Sequence, residues 1–159
     1  GVKTRPAYFK KAGYYTGFLG KTHVNPERLV EDFVDYRALR NANFSKTISI
    51  QEYAKQGRIV MENSIQAQKP FLLIINYPDA HRKFVHTSKN GYPTIKVERE
   101  IEPFPWIGSD SKYLRQELRN YFSCINRLDE GMNIPTLVPP LMLESSRRVY
   151  LTLYFQMFL

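Results

Sequence analysis

Residues 70–77 have the sequence PFLLIINY, and this stretch decides the fold class. Its apolar side chains follow one another without alternating polar residues, which is typical of a strand covered by helices on both faces of a parallel sheet. Pro78 and Asp79 come next and form a turn signal. We therefore predict a buried parallel strand that ends at about residue 77.

The sequence before this strand predicts a short helix and a first strand. Pro6 lies near the first turn of the helix, and Gly13 is placed to end it. Residues 14–19 then form a β-prone run that ends in Gly20. The segment 25–46 is mixed and polar, and we expect a loop there with one helical turn.

Two longer helices are predicted, one before and one after the buried strand. Ser49 and Glu52 have the spacing of a capping box, and apolar residues recur with the helical period over residues 50–65. A second amphipathic pattern covers residues 110–130 and ends at Gly131, a natural C-cap. The order helix, strand, helix, strand, helix predicts an α/β fold, with a mainly parallel sheet and flanking helices.

Composition excludes several classes of protein. The chain has 159 residues, of which 43% are hydrophobic and 24% charged, enough for one globular domain. No apolar run approaches the roughly 20 residues that span a bilayer, and the single cysteine excludes a disulfide framework. Lys and Arg number 23 against 15 acidic residues, and the net charge of +8 indicates an anionic partner. The basic residues form no run of five, so we expect no nucleic acid.

The candidate site residues follow the two predicted strands. Lys21 and His23 come directly after the first strand, and His81 and Arg82 come after the second. If the strands are parallel neighbours, their carboxyl ends lie at one edge of the sheet, where sites gather in open α/β folds. Two histidines and two cations at one edge would suit an anionic group. The alternative for each residue is an ordinary exposed position in a loop.

Other reactive residues have ordinary structural explanations. Cys124 falls inside the last predicted helix, where a small buried side chain is its usual role. His86 is expected at the surface, and the three histidines follow no recognised zinc spacing, so we predict no metal site. Trp106 either lines a substrate cleft or covers the core. Arg127 and the carboxylates at 129–130 are expected to be surface charges or a local salt bridge.

Three stretches of the sequence, in this order, resemble the type I sulfatases, the formylglycine-dependent hydrolases of the alkaline-phosphatase-like superfamily. The stretches are residues 9–24 (FKKAGYYTGFLGKTHV), 69–84 (KPFLLIINYPDAHRKF) and 121–132 (YFSCINRLDEGM). The branch that they most resemble is the heparan N-sulfatase-like one. The resemblance covers the chain from about Thr4 to Gly131, and it implies a partial, incomplete alkaline-phosphatase-like sandwich.

The resemblance implies a catalytic role for three side chains. Lys21 matches the lysine that contacts the sulfate and the formylglycine, and His23 matches the histidine that hydrogen-bonds the formylglycine and helps to expel sulfate. His81 matches the histidine near the leaving group, where it would assist protonation. Cationic donors stabilise charge that develops on the sulfuryl oxygens, and a histidine handles the proton. Arg82, beside His81, is a candidate for substrate binding.

The sequence also departs from the family pattern. The C/S-x-P-x-R motif that supplies the formylglycine is not present, and neither are the paired aspartates expected before it. The family holds a calcium ion with hard oxygen ligands, but residues 134–159 contain no Asp or Asn that could supply the downstream ligands. We therefore assign residues 1–132 to the central part of a sulfatase-like catalytic domain and residues 133–159 to an atypical tail.

The resemblance and these departures from it together imply a fragment of a sulfuric ester or sulfamate hydrolase that is inactive by itself. Its substrate would be a sulfated small molecule or a sulfated glycan. The alternatives are a catalytically inactive remnant, a polyanion-binding α/β domain, and a phosphatase or phosphodiesterase relative from the same superfamily. Members of the sulfatase family are often secreted, periplasmic or lysosomal. The compartment and the oligomeric state of this chain stay open.

Overall fold

The computed structural model of the chain describes residues 3–40, 48–78, 84, 97, 101–131 and 150–154, the last of these ranges for its backbone alone. The described residues form four α-helices, four strands and one 3-10 turn at Pro105–Ile107. In chain order the helices and strands are α1 (Arg5–Lys11), β1 (Tyr15–Gly20), α2 (Arg28–Glu31), β2 (Tyr36–Ala38), α3 (Ile50–Gln66), β3 (Phe71–Asn76), α4 (Lys112–Gly131) and β4 (Tyr150–Tyr154).

The four strands form one sheet in the order β2-β1-β3-β4, and all three neighbouring pairs are parallel. β1 and β3 pair along their full length, from Tyr15 opposite Phe71 to Gly20 opposite Asn76. The two strands therefore end level with each other. The prediction of an α/β fold, with a parallel sheet and flanking helices, is confirmed.

The sheet carries apolar side chains on both faces. Leu19 and Leu73 belong to the larger cluster, which includes residues of α3 and α4. Phe18 and Ile74, one position away on the same strands, point to the other face and pack with Val30 of α2. Because successive side chains of a strand alternate between faces, burial of both faces explains why the sequence of β3 is continuously apolar.

The start of α3 has the predicted cap. The Oγ atom of Ser49 accepts a hydrogen bond from the backbone N–H of Glu52 at 3.0 Å, which satisfies one donor of the first helical turn. Further along, the helix packs closely on β1, because a Cβ atom at Gly17 would lie only 2.7 Å from the side chain of Val60. The absent side chain at residue 17 therefore sets the distance between α3 and the sheet.

The segment 25–46 contains more structure than a loop with one helical turn. The turn is present as α2, but the strand β2 was not predicted. β2 has three residues, all half-buried, and it pairs with β1 from Gly17 opposite Tyr36. So short a strand at the edge of the sheet produces no apolar run that a sequence pattern could reveal. Residues 41–47 lie outside the described part of the chain.

Helix α4 confirms one prediction and corrects another. Cys124 is 1% exposed and lies in the core, as expected. The prediction of a surface position for Arg127 is wrong, because this residue is also 1% exposed. Its Nη2 atom donates a hydrogen bond to the backbone carbonyl of Ile48 at 3.2 Å, just before α3. The carboxylates at 129–130 are exposed, as expected.

Strand β4 lies within the segment 133–159 and extends the sheet on the far side of β3, with Leu72 opposite Tyr150. The interpretation of this segment as an atypical tail, and of residues 1–132 as part of a sulfatase-like domain, stays a prediction. Over the ranges that the structure describes, none of the helices combines the length and the apolar content that a membrane span requires.

A partly buried polar contact ties β2 to the beginning of β1. Thr16 is fully buried, and its backbone N–H and its hydroxyl donate to the carboxylate of Asp35 at 2.8 and 2.9 Å. The ammonium group of Lys10 lies 3.0 Å from the same carboxylate. Burial alone would raise the pKa of Asp35, but the hydrogen bonds from Thr16 and Lys10 outweigh it, so the pKa lies below the ordinary value of 3.8.

We predict that Asp35→Asn lowers the free energy of unfolding at pH 7 by about 1–2 kcal/mol, since the carboxylate accepts charge-assisted hydrogen bonds that an amide does not. The folded-state pKa is depressed, so this contribution is present above the unfolded-state pKa and is lost as the pH falls through the folded-state pKa. Urea denaturation at decreasing pH should show the gap between variant and wild type closing. The exposed neighbour Asp32→Asn is the matched control, and a gap that stays constant down to low pH would contradict the prediction.

Candidate functional site

The carboxyl ends of β1 and β3 lie side by side at one edge of the sheet. Gly20 and Asn76 are the last residues of the two strands, and they are partners in the register. The geometric assumption behind the predicted site, that the two strands are parallel neighbours, is therefore confirmed. The side-chain amide of Asn76 also donates a hydrogen bond to the backbone carbonyl of Lys21 at 2.8 Å. This bond fixes the first residue after β1.

Gly20 permits the close approach of the two strand ends. Its φ angle is +91°, in the region that favours glycine. A Cβ atom built at this position would lie 2.1 Å from the backbone oxygen of Asn76, which is far inside contact distance. The direction in which the chain leaves β1, towards Lys21 and His23, therefore depends on the missing side chain at residue 20.

Lys21 and His23 are both exposed at this edge. Between them, Thr22 is half-buried, and its Oγ1 atom accepts a hydrogen bond from the backbone N–H of Val24 at 3.2 Å. This local turn holds the residues after β1 close to the strand end. The sequence prediction that Lys21 and His23 follow the carboxyl end of a parallel strand is confirmed; their catalytic role stays a prediction.

The predicted partners from the other strand, His81 and Arg82, lie outside the described residues, and so does His86. The described chain continues past the end of β3 as far as Pro78. The backbone that leads to His81 thus leaves the sheet at the same edge as Lys21. That the four candidate side chains meet one another there stays a prediction.

A cavity of about 530 Å³ adjoins this edge of the sheet. Polar residues from three parts of the chain contribute to its lining, namely Thr4, Arg5, Thr22, His23 and Asn76. The remaining described lining residues are apolar and come from α1, β1, α2, β3 and the turn after β1, namely Pro6, Phe18, Val24, Val30 and Ile74. His23 therefore faces a recess that is large enough for a small molecule.

The sequence analysis missed four of these polar residues, Thr4, Arg5, Thr22 and Asn76. Thr4 and Arg5 precede and open α1, and a helix joined to a parallel strand by a short connection runs back along it, so its first residues return to the end of that strand. Asn76 gave a usable signal, because it is the polar residue that ends the apolar run of β3. Arg5 gave none, since its position depends on the packing of α1.

The described part of the site has the chemistry of an anion site. The described polar residues that line the cavity carry a guanidinium, an imidazole, two hydroxyls and an amide, and none of them carries a carboxylate. Among the described residues, no group of three or more His, Cys, Asp or Glu side chains is placed to hold a metal ion. Calcium requires several carboxylate or carbonyl oxygens, so these residues do not fit the ion that the family resemblance implies.

A second cavity, of about 490 Å³, lies next to the 3-10 turn, and Phe104, Asp110 and Arg115 are among the residues that line it. Trp106 lies beside it, 79% exposed and stacked on Phe104 with ring centroids 4.7 Å apart, so the interpretation that Trp106 covers the core is wrong. Arg115 donates two hydrogen bonds to Asp110, at 2.5 and 2.6 Å, which lower the pKa of that carboxyl group. Since this cation is already paired, we assign no site here.

No protein-family model, curated protein or solved structure matches this chain. The fold and the site therefore define a class only: an α/β domain whose parallel sheet carries cationic side chains at its carboxyl edge. The likeness to the type I sulfatases is carried by the three sequence stretches and stays a prediction.

We predict that Gly20→Ala destabilises the fold by at least ~2 kcal/mol more than Gly13→Ala. Both glycines have a φ angle near +90°, so both substitutions carry the backbone strain of about 1–2 kcal/mol. A Cβ atom at Gly13 meets nothing within 4 Å, whereas one at Gly20 meets the Asn76 oxygen, and such overpacking is costly. Urea unfolding of both variants measures the difference. Equal losses would contradict the close approach of the strand ends.

Proposed function

We propose that this chain supplies the cationic wall of a sulfate pocket in a hydrolase of sulfuric esters or sulfamates. The observation that supports this most directly is the level parallel pairing of β1 and β3, which brings the residues after Gly20 and after Asn76 to one edge of the sheet. The three sulfatase-like stretches are the second support. Two of them contain the strands β1 and β3, and they carry Lys21, His23 and His81.

Each proposed side chain has a distinct task. Lys21 is a compact point charge on a flexible stem, suited to the oxygens of a sulfuryl group. His23 can donate a hydrogen bond to the same group and move a proton when sulfate departs. His81 would protonate the leaving oxygen or nitrogen, with Arg82 beside it on the substrate. Cations close to the sulfuryl oxygens would stabilise the negative charge that develops there.

The chain by itself is proposed to bind sulfate without hydrolysing a sulfate ester. Its one cysteine is 1% exposed inside α4, where it cannot reach a substrate as a nucleophile. The formylglycine motif and the calcium ligands are absent from the sequence. Turnover of an aryl sulfate by the purified chain with calcium, at a rate above that of the Lys21→Ala variant, would contradict this part of the proposal.

The competing function is non-specific binding of polyanions, which the net charge of +8 supports. The two functions differ in whether binding depends on where a basic residue lies in the structure. A sulfate pocket depends on particular side chains at one edge, whereas a diffuse basic surface depends on the number of charges and falls steeply with salt. Single substitutions of exposed lysines therefore separate them.

We predict that Lys21→Ala weakens the binding of inorganic sulfate at least about tenfold, because it removes one charge-assisted contact of the order of 1.5–3 kcal/mol. His23→Ala should weaken it to a similar degree. The matched control is Lys55→Ala, since this lysine is 69% exposed on α3 and 4.0 Å from Glu52. Calorimetric titration with sodium sulfate at fixed ionic strength measures the sulfate affinities of the wild type and of these three variants.

Two results would contradict the proposed sulfate pocket. One is an equal loss of sulfate affinity in Lys21→Ala and Lys55→Ala, which would indicate an effect of net charge alone. The other is binding of random-sequence DNA that is unaffected by Lys21→Ala and by His23→Ala, while sulfate itself does not saturate. Either result would favour the polyanion-binding function.

A further inference from the structure

The cavity beside the strand ends has an apolar floor. Phe18, Val30 and Ile74 line it, and these three residues are 6%, 3% and 5% exposed. They belong to one packed cluster on a single face of the sheet. Such a floor does not contribute to the binding of a hydrated inorganic anion, because contact between an apolar surface and a sulfate ion yields no favourable free energy.

Cationic and polar groups surround the floor at the opening of the cavity. Arg5, from the start of α1, and His23, from the turn after β1, both line it, so residues from two separate parts of the chain border one space. The guanidinium of an arginine presents a planar array of donors that matches an acidic group. Thr22 and Asn76 add a hydroxyl and an amide. Among the lining residues that the structure describes, none is acidic.

From these observations we infer that the cavity binds an apolar organic monoanion, with its aromatic or alkyl body on the floor formed by Phe18, Val30 and Ile74 and its acidic group between Arg5 and His23. The volume of about 530 Å³ lies within the range of small-molecule sites. A mostly apolar lining with a few convergent polar groups is the usual composition of such sites. Arg5 is thereby a specificity residue that the sulfatase-like stretches do not contain.

The inference shares His23 with the proposed sulfate pocket but is carried by Arg5 and by the apolar floor. The sulfate pocket and the organic-anion site therefore predict different affinities for the same variants. The sulfate pocket requires Lys21, and it does not require Arg5. The organic-anion site requires Arg5 together with an apolar body on the ligand, and a bare sulfate ion lacks that body.

The test is a titration of the full chain with 2-naphthalenesulfonate, whose carbon–sulfur bond a sulfatase does not cleave, followed by calorimetry or ligand fluorescence. We expect saturable one-to-one binding that Arg5→Gln weakens at least about tenfold, as expected for the loss of a charged contact. Val24→Ser should weaken it about threefold, because Val24 lines the cavity and is 39% exposed, so its substitution spares the core. Lys55→Gln, a cation outside the lining, should leave the affinity unchanged.

Ligand controls separate the apolar body from the charge. Neutral 2-naphthol tests the floor alone and should bind at least about tenfold more weakly than the sulfonate. Inorganic sulfate tests the charge alone, and its affinity should be unchanged by Arg5→Gln. Thermal unfolding of each variant, followed by circular dichroism, shows whether a loss of binding comes from a loss of folding, and Val24→Ser keeps the test decisive if Arg5→Gln does not fold.

Three results would overturn the inference. They are equal binding of 2-naphthol and 2-naphthalenesulfonate, equal losses of affinity in Arg5→Gln and Lys55→Gln, and an unchanged affinity in Val24→Ser. If sulfate binds in a Lys21-dependent manner while the sulfonate does not bind, the organic-anion site fails and the proposed sulfate pocket stands. If the sulfonate binds through Arg5 and sulfate does not bind, the sulfate pocket fails and the organic-anion site stands.

Discussion

The backbone oxygen of Asn76 occupies the space that a side chain at residue 20 would need, and the candidate site depends on this contact. It brings the ends of β1 and β3 together at the same level, and the Asn76 amide then holds the carbonyl of Lys21 at 2.8 Å. The direction taken by the chain after β1 follows from these two constraints. They place His23 at the mouth of the cavity.

Contacts with α3 and with the residue before β2 hold β1 upstream of this edge. Gly17 lets α3 approach one face of β1, and the contact between Thr16 and Asp35 ties β2 to the beginning of the same strand. The side chains of Phe18 and Leu19 are buried on opposite faces. A strand packed in this way fixes the point at which the residues after it leave the sheet.

The sequence was sufficient for the elements with strong local patterns. The apolar run of β3, the Ser49 cap of α3 and the helical period of α4 all predicted what the structure contains. The sequence was insufficient where the position of a side chain depends on packing against residues far away in the chain. Arg127 is buried, and the acceptor of its hydrogen bond, the carbonyl of Ile48, lies 79 residues away in the sequence. The cavity was missed for the same reason, since Arg5 reaches it through the packing of α1.

The most direct test of the central claim is a backbone amide NMR spectrum of the isotope-labelled chain, recorded during titration with sodium sulfate at fixed ionic strength. A sulfate group held at the ends of β1 and β3 predicts saturable shifts that cluster at residues 20–23 and 76–78. Shifts spread over exposed basic residues elsewhere, such as Arg58 and Lys69, with no cluster at the strand ends, would contradict a sulfate pocket at this edge of the sheet.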